Sequence, residues 1–153
     1  MNILIVEDED PKRRHLEQFL RENVRNLRLE IARSVNSGIE ALDCRLPDLL
    51  LLDMSLPTFD VGETEGGGRP QGFGGVEVVR YMKLSNIKCS LIVITGYEAF
   101  PKGAGQVKLA TLEKELRDEF PGMIDGVLHF NSSFDDWKTD LMCLIDSLPT
   151  KGD

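Results

Sequence analysis

The chain has 153 residues, with 26 acidic side chains against 18 lysines and arginines, for a formal net charge of −8. Non-specific nucleic-acid binding requires clustered positive charge, so this acidity argues against direct binding to nucleic acid. No apolar run could span a bilayer and no cleavable leader pattern occurs, so we expect a cytoplasmic protein with no membrane partner. The length fits one domain, which we place at 1–149, with 150–153 as a C-terminal tail. Three widely spaced cysteines fit neither a disulfide framework nor a zinc site, and we expect them to be buried.

The first predicted element is an apolar, β-branched run at 2–6, which is typical of a fully buried strand. It ends in the acidic stretch Glu7-Asp8-Glu9-Asp10. Pro11 suits the first turn of a helix. The apolar positions that recur at helical spacing are Leu16, Phe19, Leu20 and Val24. The side chains expected on the solvated face of this helix are Lys12, Arg13, Arg14 and Glu17.

The next stretch, 27–32, alternates apolar and charged residues and predicts a strand near an edge of the sheet. Ser37-Gly38-Ile39-Glu40 has the spacing of a capping box and predicts a short helix. Four leucines, 49–52, then form a buried strand that runs directly into Asp53. A carboxylate at the end of a buried strand needs a charged partner or a metal, so Asp53 is a candidate functional residue.

The second half of the chain continues the alternation of strands and helices. Residues 58–74 are rich in glycine and predict an irregular insert, followed by a helix to about Leu84. A buried strand at 91–94 closes with Thr95, and a charged helix is expected at 106–119. A last strand at 126–130 closes with Asn131. We expect Phe134 to open a final helix with Trp137 on its buried face.

Five strands alternating with five helices predict an α/β fold, a doubly wound parallel sheet with helices on both faces. The flavodoxin-like strand order 2-1-3-4-5 makes the first and third strands neighbours, and a crevice opens where the chain reverses between them. Glu7, Asp8 and Asp53 would converge at that crevice, with Thr95 beside them. Such hard oxygen ligands suit Mg²⁺, and a magnesium ion beside an aspartate favours phosphoryl transfer onto that aspartate.

Three segments resemble the receiver domain of two-component response regulators. Val6-Glu7-Asp8-Glu9 is similar to the acidic pair after the first strand of that family. The stretch 52–57, with Asp53 as its second residue, resembles the phosphoacceptor segment. The stretch 92–96 resembles the fourth strand, which ends in the signalling hydroxyl. The likeness covers nearly the whole chain in order and with about the right spacings.

The resemblance implies roles for individual residues. Asp53 would accept a phosphoryl group from a histidine kinase or phosphotransfer protein, or from a small phosphodonor. Mg²⁺ would be held by Glu7, Asp8, Asp53 and the backbone carbonyl of Ser55. Thr95 would hydrogen-bond the phosphoryl oxygens and pull the following loop inward. The helix at 106–119 and the last strand would present the changed surface to a downstream protein, and a homodimer through the last two helices is common in the family.

The chain departs from the family pattern in two places. The family carries a lysine at the end of the fifth strand, where this chain has Asn131, which can donate a hydrogen bond but brings no charge. Lys102 and Lys108 are the cations considered as replacements, although a solvated role fits them better. The glycine-rich insert is the second departure, and it follows the acceptor segment directly, where it could gate access or bind a partner.

Three functions follow from this reading. The first is a stand-alone phosphoacceptor receiver, which is not an enzyme beyond its own phosphorylation and dephosphorylation. The second is a degenerate receiver that keeps the fold as a phosphorylation-independent protein-binding module. The third is a magnesium-dependent phosphohydrolase resembling the haloacid dehalogenases. The sequence argues against it, because Ser55 stands where that family needs a second aspartate.

Overall fold

The computed structural model describes residues 1–59, 74–96, 105–131 and 135–149, with 105–109 described by backbone alone. Strands and helices alternate strictly along these residues, as predicted. The strands are β1 Asn2–Val6, β2 Arg28–Ala32, β3 Leu49–Leu52, β4 Ser90–Thr95 and β5 Gly126–His129. The helices are α1 Asp10–Asn23, α2 Val35–Cys44, α3 Gly74–Leu84, α4 Gly105–Glu119 and α5 Asp136–Ser147.

The five strands form one parallel sheet in the order β2-β1-β3-β4-β5, which confirms the predicted fold class and topology. Val6 of β1 pairs with Leu52 of β3, and Leu52 pairs with Val93 of β4. These register pairs bring the carboxyl ends of the three central strands to a common edge of the sheet. Side chains that directly follow the strands therefore meet at that edge.

Helices cover both faces of the sheet, because the central strands are apolar on both sides. Helices α2, α3 and α4 pack on the face that carries Leu4, Leu50 and Val93. Helices α1 and α5 pack on the face that carries Ile5 and Leu51. Trp137 of α5 is buried there, as predicted, and β2 alternates in exposure as an edge strand should.

The start of α2 differs from the prediction. Ser34, and not Ser37, is the N-cap: Ser34 Oγ accepts from the Ser37 amide, and Ser37 Oγ accepts from the Ser34 amide. Ser37 is therefore the third residue of the helix, where a short hydroxyl takes the part that Glu or Gln plays in the usual capping box. The capping box predicted at Ser37 therefore exists, but it begins three residues earlier, at Ser34.

The cysteines differ from the prediction, and several predicted features lie outside the described residues. The prediction of buried cysteines was wrong, because Cys44 and Cys143 are exposed and Cys89 is half-buried. Most of the insert, 60–73, lies outside the described residues, as do Lys102, Phe134 and the side chain of Lys108. Among the helices that the structure describes, none has the length and apolar character to cross a membrane.

Candidate functional site

The site begins with two backbone hydrogen bonds that continue the sheet past its last regular pairs. The Glu7 amide donates to the Ala32 carbonyl at 3.0 Å, and the Asp53 amide donates to the Val6 carbonyl at 3.0 Å. The first bond extends the pairing of β1 with β2, and the second fixes the residues that follow β1 and β3 next to each other. Carboxylate oxygens of Glu7, Asp8 and Asp53 all lie within 4.8 Å of one another. The structure thus brings together the three acids that the sequence singled out.

Burial makes this acidic cluster electrostatically unfavourable. Glu7 and Asp53 are almost fully buried, and Asp8 is half-buried. Burial, with a further contribution from the charge of Asp53, raises the pKa of Glu7 to about 8, although the nearby charge of Lys12 opposes the shift. Burial and the charge of Asp53 also raise the pKa of Asp8 to about 6. A group of carboxylates that resists full ionisation is poised to accept a cation.

Lys12 is part of this site, which the sequence reading missed. Its side chain is only 2% exposed, so its assignment to the solvated face of α1 was wrong. Its Nζ forms an ion pair with Glu7 Oε2 at 2.5 Å and donates to Asp53 Oδ1 at 3.0 Å and to the Ile94 carbonyl at 2.7 Å. Burial alone would lower the pKa of Lys12, but the charges of Asp53 and Glu7 outweigh it and raise that pKa above its usual value. The side chain is therefore a charged ammonium held between two acids.

Helix geometry explains why Lys12 points inward, and it offers the signal that was missed. Lys12 precedes the buried residues Leu16, Phe19 and Leu20 by four, seven and eight positions, so all four share one face of α1. Side chains in a helix lean toward its N-terminus, which here lies at the carboxyl edge of the sheet. The long stem therefore leads the ammonium back over the strand ends.

Thr95 ends β4 beside the acids. It is fully buried, and its Oγ1 has no hydrogen-bond partner among the described residues. A buried hydroxyl without a partner loses its hydrogen bonds to water and gains none in return, so such groups are rare without a functional reason. The preceding carbonyl, of Ile94, is the one that Lys12 holds. The ammonium of Lys12 is thus bonded to the residue of β4 that directly precedes Thr95.

The segment after Asp53 is fixed by close packing against the start of α3. The Gly75 amide donates to the Met54 carbonyl at 2.9 Å. A Cβ on Gly75 would overlap the carbonyl oxygen of Asp53, so only glycine allows the helix to approach this closely. Ser55 lies half-buried in this segment, two residues after Asp53. The role predicted for its carbonyl as a metal ligand stays a prediction.

Asn131 follows β5 at the same edge of the sheet. The amide of the residue before it, Phe130, donates to the Thr95 carbonyl at 2.8 Å. Asn131 is half-buried and stands one strand away from the acids. The end of β5 therefore places an amide, and no charge, on this side of the site. Its predicted contact with the phosphoryl group is not tested by this geometry.

The donor set fits Mg²⁺. Three carboxylates with oxygens within 4.8 Å of one another supply hard oxygen ligands, and the half-buried Asp8 leaves a side open for water or a phosphate oxygen. The raised pKa values of Glu7 and Asp8 show that ionising these buried carboxylates costs free energy, and a bound cation would lower that cost. The same edge combines a buried aspartate, an ammonium and a hydroxyl, which are groups suited to accepting a phosphoryl group.

No family model matches the chain. The uncharacterized protein y4jR of Sinorhizobium fredii is 30% identical over 140 residues, which cover 91% of this chain and 93% of that protein. The Detocs response regulatory protein DtcB of Enterobacter cloacae is 29% identical over 150 residues, 97% of this chain and 100% of the relative.

Solved receiver domains have the same fold. The receiver domain of AraT from Geobacillus stearothermophilus superposes with a TM-score of 0.64 at 20% identity, covering 96% of this chain and 91% of that one. The receiver domain of a putative LuxO repressor from Vibrio parahaemolyticus gives 0.62 at 17% identity, covering 95% and 89%. The chain is therefore similar over its full length to a response regulatory protein, and it has the fold of response regulator receiver domains.

Proposed function

We propose that this chain is a stand-alone phosphoacceptor receiver in which Asp53 accepts a phosphoryl group in a Mg²⁺-dependent reaction. The observation that carries the proposal is that two further acids and a buried ammonium surround Asp53, at a sheet edge where β4 ends in a buried hydroxyl that has no partner among the described residues. The donor would be the phosphohistidine of a histidine kinase or phosphotransfer protein, as in the family. Acetyl phosphate would serve as a small substitute.

The reaction needs Asp53 in its ionised form. The ammonium of Lys12 donates directly to Asp53 Oδ1 at 3.0 Å and so fixes the position of that side chain. A carboxylate oxygen of Asp53 forms a bond to phosphorus as the bond from phosphorus to the imidazole nitrogen breaks. The imidazole keeps the electron pair of the broken bond and takes up a proton from solvent. The product is an acyl phosphate on Asp53, and no oxidant or other co-reactant is needed.

Three groups of the chain would hold Mg²⁺: the carboxylates of Glu7 and Asp8 and that of Asp53, with the Ser55 carbonyl as the fourth ligand that the family implies. When bound, the ion supplies positive charge that neutralises the incoming phosphoryl oxygens. Thr95 Oγ1, buried without a partner among the described residues, would donate to a phosphoryl oxygen once it arrives. This new bond would link phosphorylation to β4 and to α4, and so to the surface that a downstream protein contacts.

The test is phosphate incorporation by the full chain, measured as intact mass after incubation with acetyl phosphate and Mg²⁺. We expect one phosphate on the wild-type protein and none on Asp53→Asn. Asp118→Asn is the matched control, because Asp118 is an exposed aspartate of α4, and it should be phosphorylated normally. Removing Mg²⁺ with a chelator should also prevent the reaction. A wild-type protein that takes up no phosphate would overturn the proposal.

The uncharged end of β5 favours one alternative, a degenerate receiver that binds its partner without phosphorylation. Asn131 brings no charge to the position where the family has its lysine. This alternative predicts that a partner binds Asp53→Ala as tightly as wild type. Phosphorylation that changes partner affinity by a factor of about 10, a coupling energy of about 1.4 kcal/mol, would exclude it.

A further inference from the structure

Asn131, at the end of β5, stands where the family has a lysine, so the site lacks the positive charge that β5 supplies in the family. A contact from α1 supplies a positive charge there. A phosphoryl group carries negative charge, and Asp53 already stands among two other acids. Charge that develops in a buried site needs a fixed positive partner. Mg²⁺ would supply part of this charge, but Asn131 cannot supply the ammonium that the family adds from β5, so a second cation would have to come from another element.

Among the described residues, Lys12 is the cation that contacts Asp53. Lys12 belongs to α1, near the start of the chain, whereas β5 lies near its end. Its ammonium contacts the acceptor carboxylate at 3.0 Å. An ammonium has three N–H donors, and the three contacts with Glu7, Asp53 and Ile94 match that number. Lysine is almost never fully buried unless paired, so this placement is a built feature and not a surface accident.

The contacts of Lys12 also show which role it can take. Its third bond goes to β4, the strand on the far side of Asp53 from β1, and the next residue on that strand is Thr95. No hydrogen bond or ion pair joins Lys12 to Asp8 among the described contacts. The ammonium therefore bridges Glu7, Asp53 and β4, and Asp8 is the acid of the cluster that it does not contact directly. Asp8 would thus be available to hold a metal ion while Lys12 stays on Asp53.

We propose that Lys12 replaces the family's β5 lysine as the cation that contacts the phosphoryl group on Asp53. This inference rests on the proposed function. Before transfer, Lys12 holds Asp53 and Glu7 in position. After transfer, its ammonium stays within reach of the new phosphoryl oxygens, because they are attached to the carboxylate that it already touches. The charge requirement of the reaction is thus met from the first helix.

The experiment compares the initial rate of Asp53 phosphorylation by acetyl phosphate, at saturating Mg²⁺, between wild type and Lys12→Met. Methionine keeps the length and apolar stem of lysine and removes the charge. We expect the rate to fall at least about tenfold, as for other charge-stabilising groups. Lys88→Met, which changes an exposed lysine just before β4 at the amino end of the sheet, is the matched control and should react at the wild-type rate.

Magnesium affinity, measured by calorimetry, separates this role from a structural one. Lys12→Met should bind Mg²⁺ at least as tightly as wild type, because a competing cation has been removed from Asp53 and Glu7. A slow variant that has also lost Mg²⁺ affinity has a collapsed site, and that result would overturn the inference. So would a Lys12→Met protein that reacts as fast as wild type.

Restoring a positive charge at the end of β5 completes the test. The double variant Lys12→Met/Asn131→Lys puts an ammonium where the family has it, and we expect most of the lost rate to return. If the rate stays low, the shape of Lys12 matters and its charge does not, which contradicts the inference. Failure of the proposed function is distinguishable, because then the wild-type protein itself would take up no phosphate.

Discussion

Carboxylates at the two ends of the sheet have opposite effects on the stability of the fold. At the amino end, Asp48 accepts a hydrogen bond from the Asn2 amide at 2.7 Å, and Asp125 accepts one from the Leu91 amide at 2.8 Å. Each carboxylate there satisfies a backbone donor at the start of a strand. At the carboxyl end, Glu7, Asp8 and Asp53 face one another and are at least half-buried.

This difference shows where the fold is stabilised and where it is strained. A carboxylate that caps a strand lowers the free energy of the folded state, since it pairs a backbone N–H. Carboxylates that face one another raise that free energy, and here the excess is relieved in part by Lys12. The acids at the carboxyl end are thus costly to the fold, which is typical of a functional site.

The largest effect on stability should come from removing the ammonium. Lys12→Ala leaves Glu7 and Asp53 buried without their charge partner, so we expect the free energy of unfolding to fall by about 3 kcal/mol near neutral pH. Because burial raises the pKa of Glu7 to about 8, this side chain can hold a proton near neutral pH, which limits the loss. Urea denaturation in the absence of Mg²⁺ measures the change. A loss below that of an ordinary surface substitution would show that Lys12 does not compensate the acids.

A smaller loss should follow from a substitution at the other end of the sheet. Asp48→Ala removes the acceptor of the Asn2 amide, and we expect a destabilisation of about 1–2 kcal/mol in the same measurement. Asp48→Asn keeps an acceptor oxygen and should recover most of it. Phosphate uptake at Asp53 should be normal in both variants. If Asp48→Ala slowed phosphorylation, the two ends would not be independent as described.

The smallest effect should have the opposite sign. Asp8→Asn removes one of the mutually repelling carboxylates, so we expect the metal-free protein to become more stable by roughly 1 kcal/mol near neutral pH. The pKa shift is discounted in that figure, because Asp8 is half-exposed. Addition of Mg²⁺ should stabilise wild type but not the variant, because the variant has lost a ligand.

The pH dependence of the Asp8 effect follows from the direction of its shift. The pKa of Asp8 is raised from 3.8 to about 6 in the folded protein, so the folded state binds this proton more tightly than the unfolded state does. The contribution of Asp8 to stability is therefore most favourable below about pH 4 and is lost as the pH rises through about 6. The advantage of Asp8→Asn should be small at about pH 4 and complete at about pH 7. An advantage that instead grew toward acid would contradict this assignment.

Most of the fold could be predicted from the sequence, because the strands are uninterrupted apolar runs and the helices repeat at helical spacing. The order of strands followed from the alternation of elements, and the meeting of Glu7, Asp8 and Asp53 followed from that order. The start of α2 was misplaced because Ser34 and Ser37 are both good caps, and only the reciprocal hydrogen bonds distinguish them.

The role of Lys12 could not be read from residue type. A lysine near the start of a helix is solvated in most proteins, and its long stem allows either outcome. Its spacing places Lys12 on the same face of α1 as Leu16 and Leu20, whereas its charge favours the solvated face. Only the distances to Asp53 and Ile94 show that the stem reaches the strand ends.

The position of Lys12 also bears on how the sequence can change. Two acids of the site and the ammonium belong to one stretch of six residues, from Glu7 to Lys12, which runs from the end of β1 into the first turn of α1. Substitutions in the last third of the chain can then alter β5 and α5 while these three charged side chains stay unchanged. Glu7, Asp8 and Lys12 would thus be inherited together in one short segment, separately from the surface that β5 and α5 form.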